Sequence, residues 1–138
     1  MCTINALCLE SLPEFLERIV WFKSTEKTYE VSINYTLNIL RFPSFQSPLV
    51  LPDDLRNKFK GDLVKFLNNN EKYLEHMEVN QTQRLIDYLD VVKTPHAGAA
   101  EQSKLQKDFK AFYGQYDKRE GKDFEKTFPI IGEWYRGI

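Results

Sequence analysis

Apolar and polar residues alternate in two stretches near the start of the chain, and beyond residue 52 apolar residues recur at helical spacing. Cys2, Ile4 and Ala6 alternate with Thr3 and Asn5, which predicts an opening strand running to Leu7. Tyr29, Val31, Ile33, Tyr35, Leu37 and Ile39 alternate with Glu30, Ser32, Asn34, Thr36 and Asn38, which predicts a second strand with one apolar and one polar face. Between them, Ser11-Leu12-Pro13-Glu14 reads as a capping box with proline in the first helical turn. Leu12, Phe15, Leu16, Ile19 and Val20 then share one helix face, which Trp21 and Phe22 extend. Ser24 to Thr28 forms a short polar connection. A strand, a helix and a strand within about 40 residues is a βαβ unit with parallel pairing.

The character changes at residues 42–52, where Pro43, Pro48 and Pro52 withdraw backbone donors and predict an extended connector. Beyond it, Asp53 and Asp54 place negative charge at a helix N-terminus. Leu55, Phe59, Leu63, Phe66 and Leu67 continue that helix until Asn68-Asn69-Asn70. A further helix begins near Thr82 and carries Leu85, Ile86, Leu89 and Val92. Residues 94–100 read as a loop. A third long helix carries the aromatic stripe Phe109, Phe112, Tyr113 and Tyr116, expected in the core, together with Leu105. Two short helical turns follow, around Phe124 and around Trp134-Tyr135. The predicted fold class is α/β: a short parallel βαβ segment over residues 1–41, a proline-rich connector over 42–52, and a mostly helical region over 53–138.

Composition narrows the function. The 138 residues carry a formal net charge of −1 with 28% charged and 42% hydrophobic residues, a globular balance that excludes wholesale disorder. The absence of a basic excess argues against nucleic acid as a partner. No apolar run reaches the roughly 20 residues of a membrane span. Cys2 and Cys8 are the only cysteines, and without a signal peptide they are expected to be free, buried thiols in a reducing, cytoplasmic compartment. Two thiols with five residues between them do not fill a metal site.

Other groups yield mainly structural readings. His76 and His96 lie far apart in polar surroundings and read as surface histidines. The glycines are scattered, and no phosphate-binding loop is present. Asp53-Asp54 is helix-terminal charge, and Lys118-Arg119-Glu120-Gly121-Lys122 is a solvated turn. The feature with most functional content is the uncharged polar face of the strands. Solvated faces usually carry several lysines or glutamates, and this one has only Glu30, at its start. A face of hydroxyls and amides suits the inner wall of an α/β barrel, where such groups orient a ligand without fixed charge.

Three segments resemble the C-terminal part of radical SAM proteins, in particular the type with a short twitch region after the barrel. Thr3-Ile4-Asn5-Ala6-Leu7 with Leu12-Pro13-Glu14-Phe15-Leu16 resembles a late barrel strand and its helix. Val31-Ser32-Ile33-Asn34-Tyr35, Leu40-Arg41-Phe42-Pro43 and Leu49-Val50-Leu51-Pro52-Asp53-Asp54-Leu55-Arg56 resemble the last barrel strand, its proline-rich exit and the following helix. Tyr116 to Phe124, Phe128-Pro129 and Trp134 resemble the closing segment. The resemblance implies a partial barrel, a parent enzyme that cleaves S-adenosylmethionine at a four-iron four-sulfur cluster, and a missing N-terminal barrel portion as partner. It also places Asn5, Asn34 and Asn38 toward the barrel interior as cofactor-binding residues. The family's Cys-x-x-x-Cys-x-x-Cys loop is absent, so this chain holds no cluster ligands and no catalytic residue. The chain is then expected to be the downstream part of a longer enzyme and inactive alone. The competing reading is a small stand-alone α/β interaction protein without catalytic activity.

Overall fold

The computed structural model describes residues 1–25, 33–90 and 99–138. Strand β1 (Cys2–Ile4) pairs in parallel with β2 (Leu37–Ile39), in the register Cys2 with Leu37, Thr3 with Asn38 and Ile4 with Ile39. Helix α1 (Leu12–Thr25) lies between them in sequence and packs Leu12, Leu16 and Val20 into the core. The βαβ expectation holds in topology, but both strands are shorter than their alternation predicts. β1 ends because the Asn5 side chain turns the chain: its Oδ1 accepts the Leu7 and Cys8 N–H groups at 3.0 and 3.1 Å. Of the predicted second strand, residues 29–32 lie outside the described residues. Residues 33–36 are not strand, although Tyr35 keeps its buried position.

The described chain beyond β2 is helix and turn. The proline connector coils into short 3-10 turns at Ser44–Gln46 and Pro48–Val50, a correction to the extended form expected. Then follow α2 (Asp53–Asn70), α3 (His76–Asp90), α4 (Ala99–Glu120), α5 (Phe124–Thr127) and α6 (Pro129–Gly137). Helix α3 starts six residues before the expected Thr82. Its first turns hide from an apolar-periodicity reading because the residues they bury are Glu78 and Thr82. Of the predicted loop, Ala99 and Ala100 belong to α4, and residues 94–98, His96 included, lie outside the described residues, as does Val92.

One hydrophobic cluster runs from Ile4 through Leu16, Tyr35, Phe59, Leu63, Leu85 and Phe109 to Ile131 and Tyr135. Both halves of the chain build it. Backbone polarity is met by side chains at each junction, as buried peptide groups require. Gln102 and Gln106, one turn apart on α4, donate to the Leu49 and Val50 carbonyls of the connector at 3.1–3.2 Å. Glu10 accepts the Ile130 and Ile131 N–H groups at 2.9 and 3.1 Å and so caps α6. Helix α4 ends at Gly121, whose φ of 61° permits the Lys122 N–H to reach the Asp117 carbonyl at 3.1 Å.

Some expected core positions are not core. Phe15 on α1 is 47% exposed, and in the α4 stripe Phe112 and Tyr116 are 43% and 47% exposed while Phe109 is fully buried. The α4 stripe is wider than the face its neighbours cover. Cys2 and Cys8 are free but only half-buried. Glu14 does not reach back to Ser11; it approaches Arg18 at 3.9 Å.

Candidate functional site

The register fixes which side chains share each face of the sheet. Cys2, Ile4, Leu37 and Ile39 point to one face, where Ile4 and Leu37 are buried. Thr3 and Asn38, paired across the strands, are exposed on the other. The uncharged polar face is therefore present as a hydroxyl beside an amide.

The two edges of the sheet differ. The Cys2 N–H donates to the Thr36 carbonyl at 2.7 Å and the Leu40 N–H to the Ile4 carbonyl at 2.8 Å, so Thr36 and Leu40 face β1. The N–H groups of Tyr35 and Leu37, on either side of Thr36, point away from β1, and α3 covers them. The Tyr35 N–H donates to Glu78 Oε2 at 3.0 Å, and the Leu37 N–H donates to Gln81 Oε1. Two side chains one turn apart on a helix thus stand in for a neighbouring strand. Thr3 faces away from β2, and among the described residues no strand lies beside it. Its carbonyl meets the Cys8 thiol, at 3.5 Å.

Glu78 is the centre of the arrangement. Its fully buried carboxylate accepts from Lys23 Nζ at 2.6 Å and from the Glu75 N–H at 2.9 Å, the second being the reciprocal half of a capping box at the start of α3. The Tyr35 hydroxyl lies 2.7 Å from Thr82 Oγ1. Burial pushes the Tyr35 phenol up to about 12; the Thr82 hydrogen bond opposes the shift and the Glu78 charge adds to it. This network ties α1, β2 and α3 together and positions the sheet.

A cleft of about 430 Å³ opens where the turn after β1 meets the C-terminal helices. Its walls include Leu7, Tyr113, Tyr116, Phe124 and Phe128, with Asp117, Lys122, Asp123 and Thr127 at the margin. One oxygen of each aspartate is committed: Asp117 Oδ2 accepts the Phe124 N–H at 3.0 Å, and Asp123 Oδ1 accepts the Lys126 N–H at 3.2 Å. Burial pushes the Tyr113 phenol up to about 12, with smaller contributions from Cys8 and Tyr116. The cleft is an aromatic hollow with a lysine and two half-committed carboxylates, suited to a small ligand with a planar apolar part and a polar end.

The three asparagines do different things. Asn38 stands on the open polar face, its amide nitrogen against Met1 Sδ. Asn34 is exposed and accepts from Lys23 Nζ at 3.1 Å, on the seam between α1 and α3. Asn5 spends its oxygen on the turn and on the Cys8 thiol, 3.1 Å away. Sequence reading missed the cleft: Tyr113 and Tyr116 read as core and Lys122 as a solvated turn, which it also is. The one local signal was Gly121, which ends α4 and turns Asp123 and Phe124 back toward Asp117.

The cysteines do not fit a cluster. Cys2 sits in β1 beside Leu37, and Cys8 donates to Asn5. No helix among the described residues is long and apolar enough to cross a membrane. Comparison with known proteins finds no matching family model, curated protein or solved structure.

Proposed function

We propose that this chain is the downstream part of a radical SAM enzyme, contributing two adjacent parallel strands to a barrel whose other strands lie on a preceding stretch of polypeptide. One observation carries the reading: the outer edge of β2 is covered by Glu78 and Gln81, while among the described residues no strand pairs with the outer edge of β1, whose Thr3 carbonyl meets the Cys8 thiol. Parallel sheets are built by repeated crossovers and are normally covered on both faces, so a sheet finished on one side and open on the other calls for more strands. The Thr3 and Asn38 face then becomes part of the barrel wall. The cleft at Leu7 adjoins the carboxyl end of β1, the end at which α/β folds carry their ligands.

In this reading S-adenosylmethionine and the four-iron four-sulfur cluster belong to the assembled, cytoplasmic enzyme. Cys2 and Cys8 do not fit the cluster, so its ligands come from the other part and no step is assigned to these thiols. Asn38 is the one predicted asparagine whose side chain faces the wall, and it is the cofactor-binding residue this reading retains. The chain alone is inactive, and neither nucleic acid nor membrane enters the reading.

The DNA upstream of Met1 tests it. An open frame encoding a Cys-x-x-x-Cys-x-x-Cys loop is expected. The two parts together, reconstituted anaerobically with iron and sulfide, should cleave S-adenosylmethionine under reduction. A stop codon close upstream overturns it. A stand-alone interaction protein is the second reading, favoured by the single core that joins Ile4 to Tyr135. It predicts a monodisperse chain that melts cooperatively.

A further inference from the structure

The end of α4, the turn after it and the start of α5 bring aromatic rings and carboxylates to one hollow. Tyr116 and Asp117 stand three and four residues beyond Tyr113 on α4, so the three share one face. Gly121, at a φ of 61°, turns the chain so that Asp123 and Phe124 come back against that face. The rings of Tyr113, Phe124 and Phe128 follow one another at centroid separations of 5.4 and 5.1 Å. Tyr116 keeps 47% of its surface exposed, and Leu7 lines the same cleft from the turn after β1. Exposed aromatic surface inside a concavity is surface that a flat apolar group can cover. The cleft holds about 430 Å³, toward the low end of the roughly 300–1,000 Å³ of small-molecule sites, which suits one ring and a short chain.

The carboxylates are held in place by the backbone around them. Asp117 Oδ2 accepts the Phe124 N–H at 3.0 Å, and the Asp117 carbonyl accepts the Lys122 N–H at 3.1 Å. Asp123 Oδ1 accepts the Lys126 N–H at 3.2 Å, and the Asp123 carbonyl accepts the Thr127 hydroxyl at 2.9 Å. Among the described residues, Asp117 Oδ1 and Asp123 Oδ2 have no hydrogen-bond partner. Lys122 is exposed and forms no ion pair with either aspartate among the described residues. Two carboxylates against one lysine leave the cleft a net charge of −1. Tyr113, its phenol pushed up to about 12, adds no charge. This balance repels an anion, the ring faces attract a cation, and open carboxylate oxygens accept from N–H donors. We propose that the cleft binds an arylalkylammonium ion, a small primary amine whose ring lies against Tyr116 and Phe128 and whose ammonium donates to Asp117 and Asp123. Because the acceptors are fixed before the ligand arrives, little ordering cost falls on binding. Every group belongs to this chain, so the site is independent of the barrel reading and of what the upstream frame encodes.

The experiment titrates the isotope-labelled chain at neutral pH with phenethylamine, phenethyl alcohol and hydrocinnamate, which share a ring and differ in the charge of the head group. The amine should shift the amide signals of Leu7 and of residues 121–128 while leaving those of α2 in place. The alcohol should bind at least about fivefold more weakly, and the carboxylate at least about tenfold more weakly. Asp117→Asn and Asp123→Asn each keep the oxygen that accepts a backbone N–H, so the melting temperature should hold. Each should weaken the amine by about tenfold and leave the alcohol unchanged. Tyr116→Ala, at a half-exposed position, should weaken amine and alcohol alike. The comparison of the three compounds on the unsubstituted chain decides the matter even where a variant fails to fold. Amine that shifts nothing at about 10 mM overturns the proposal. Equal affinity for amine and alcohol reduces the cleft to an aromatic hollow and also overturns it, as does amine binding that both asparagine variants retain. Free phenylalanine binding more tightly than the amine assigns head-group selection to Lys122 and overturns it as well.

Discussion

Lys23 Nζ lies 2.6 Å from Glu78 Oε1, and the carboxylate it meets has no exposure to solvent. Lys23 keeps 11% of its side-chain exposure, so the two partners are not equivalent. Removing the lysine strands a buried anion, whereas removing the anion leaves a cation that still reaches water. Lys23→Met should lower stability by about 3 kcal/mol, and Glu78→Gln by less. The double variant Lys23→Met, Glu78→Gln should recover part of the Lys23→Met loss, because the amide leaves no buried charge and its one oxygen still accepts one of the two N–H groups, of Tyr35 or Glu75, that the carboxylate accepts on separate oxygens. Urea unfolding of the four proteins checks this, and additive losses would show that the pair is uncoupled.

Tyr35 and Tyr113 both hold their phenol protons up to about pH 12, against an ordinary value of 10.0. Below pH 10 the proton is bound in folded and unfolded chains alike, and the phenols give no pH dependence. Between about 10 and 12 the unfolded chain releases them while the folded chain retains them, so stability falls as pH rises, by about 1.4 kcal/mol per pH unit for each tyrosine. Denaturant midpoints should therefore be flat as pH approaches 10 from the alkaline-neutral side and decline above it. Tyr35→Phe should reduce the slope, and an unchanged slope would place the titration elsewhere.

Much of this architecture is legible in the sequence, and the illegible parts share a physical origin. The strand alternation separates the buried Ile4, Tyr35 and Leu37 from the exposed Thr3 and Asn38, because period two survives even where residues 33–36 leave the sheet. Helix α2 ends at Asn70, as its asparagine run predicts. The start of α3 is hidden because a buried face made of Glu78 and Thr82 carries no apolar period. Phe15 reads as core because its spacing is right, but burial needs a neighbour that spacing does not supply. The cleft depends on Leu7 meeting Phe124 and Phe128 across more than a hundred residues, a contact with no local signature.

Arg56 is buried to 4% exposure on α2 and pairs with Asp53, while its Nε and Nη1 have no hydrogen-bond partner. Burial lowers its pKa, as expected for a cation taken from water without full compensation. Replacing it with a flexible apolar side chain of similar length removes the two unsatisfied donors. Arg56→Met should raise stability by about 1 kcal/mol, measured by urea unfolding. A loss of that size would mean that the guanidinium is better satisfied in solution than the surrounding protein groups allow.

Glu10 joins the start of the chain to its end through the first turn of α6, whose preceding residue Phe128 provides no side-chain cap. Its charge also faces the positive end of the helix dipole. Glu10→Gln keeps one of the two acceptor oxygens and loses the charge, so it should cost about 1 kcal/mol; Glu10→Ala loses both oxygens and should cost about 2 kcal/mol. Hydrogen exchange at Ile130 and Ile131 should speed up in the alanine variant before exchange in α2 does. Equal acceleration throughout would mean that α6 opens only with the whole molecule.

Gly132 lies where α6 crosses α5, and a Cβ there would sit 2.9 Å from Glu125 Cα and 3.2 Å from its carbonyl oxygen. Both are backbone atoms, so relief requires the two helices to separate. Separation would loosen the stacked Phe124 and Tyr135 rings, whose centroids are 4.2 Å apart, and the Arg136 ion pair with Glu125 at 2.8 Å. Gly132→Ala should therefore lower stability by about 2 kcal/mol despite the better helix propensity of alanine. Gly121→Ala meets no atom within 4 Å, and its strain is confined to the positive φ of 61°, so it should lose only about 1 kcal/mol. Thermal melts of the two variants rank the effects, and a Gly132→Ala protein as stable as the parent would refute the close crossing.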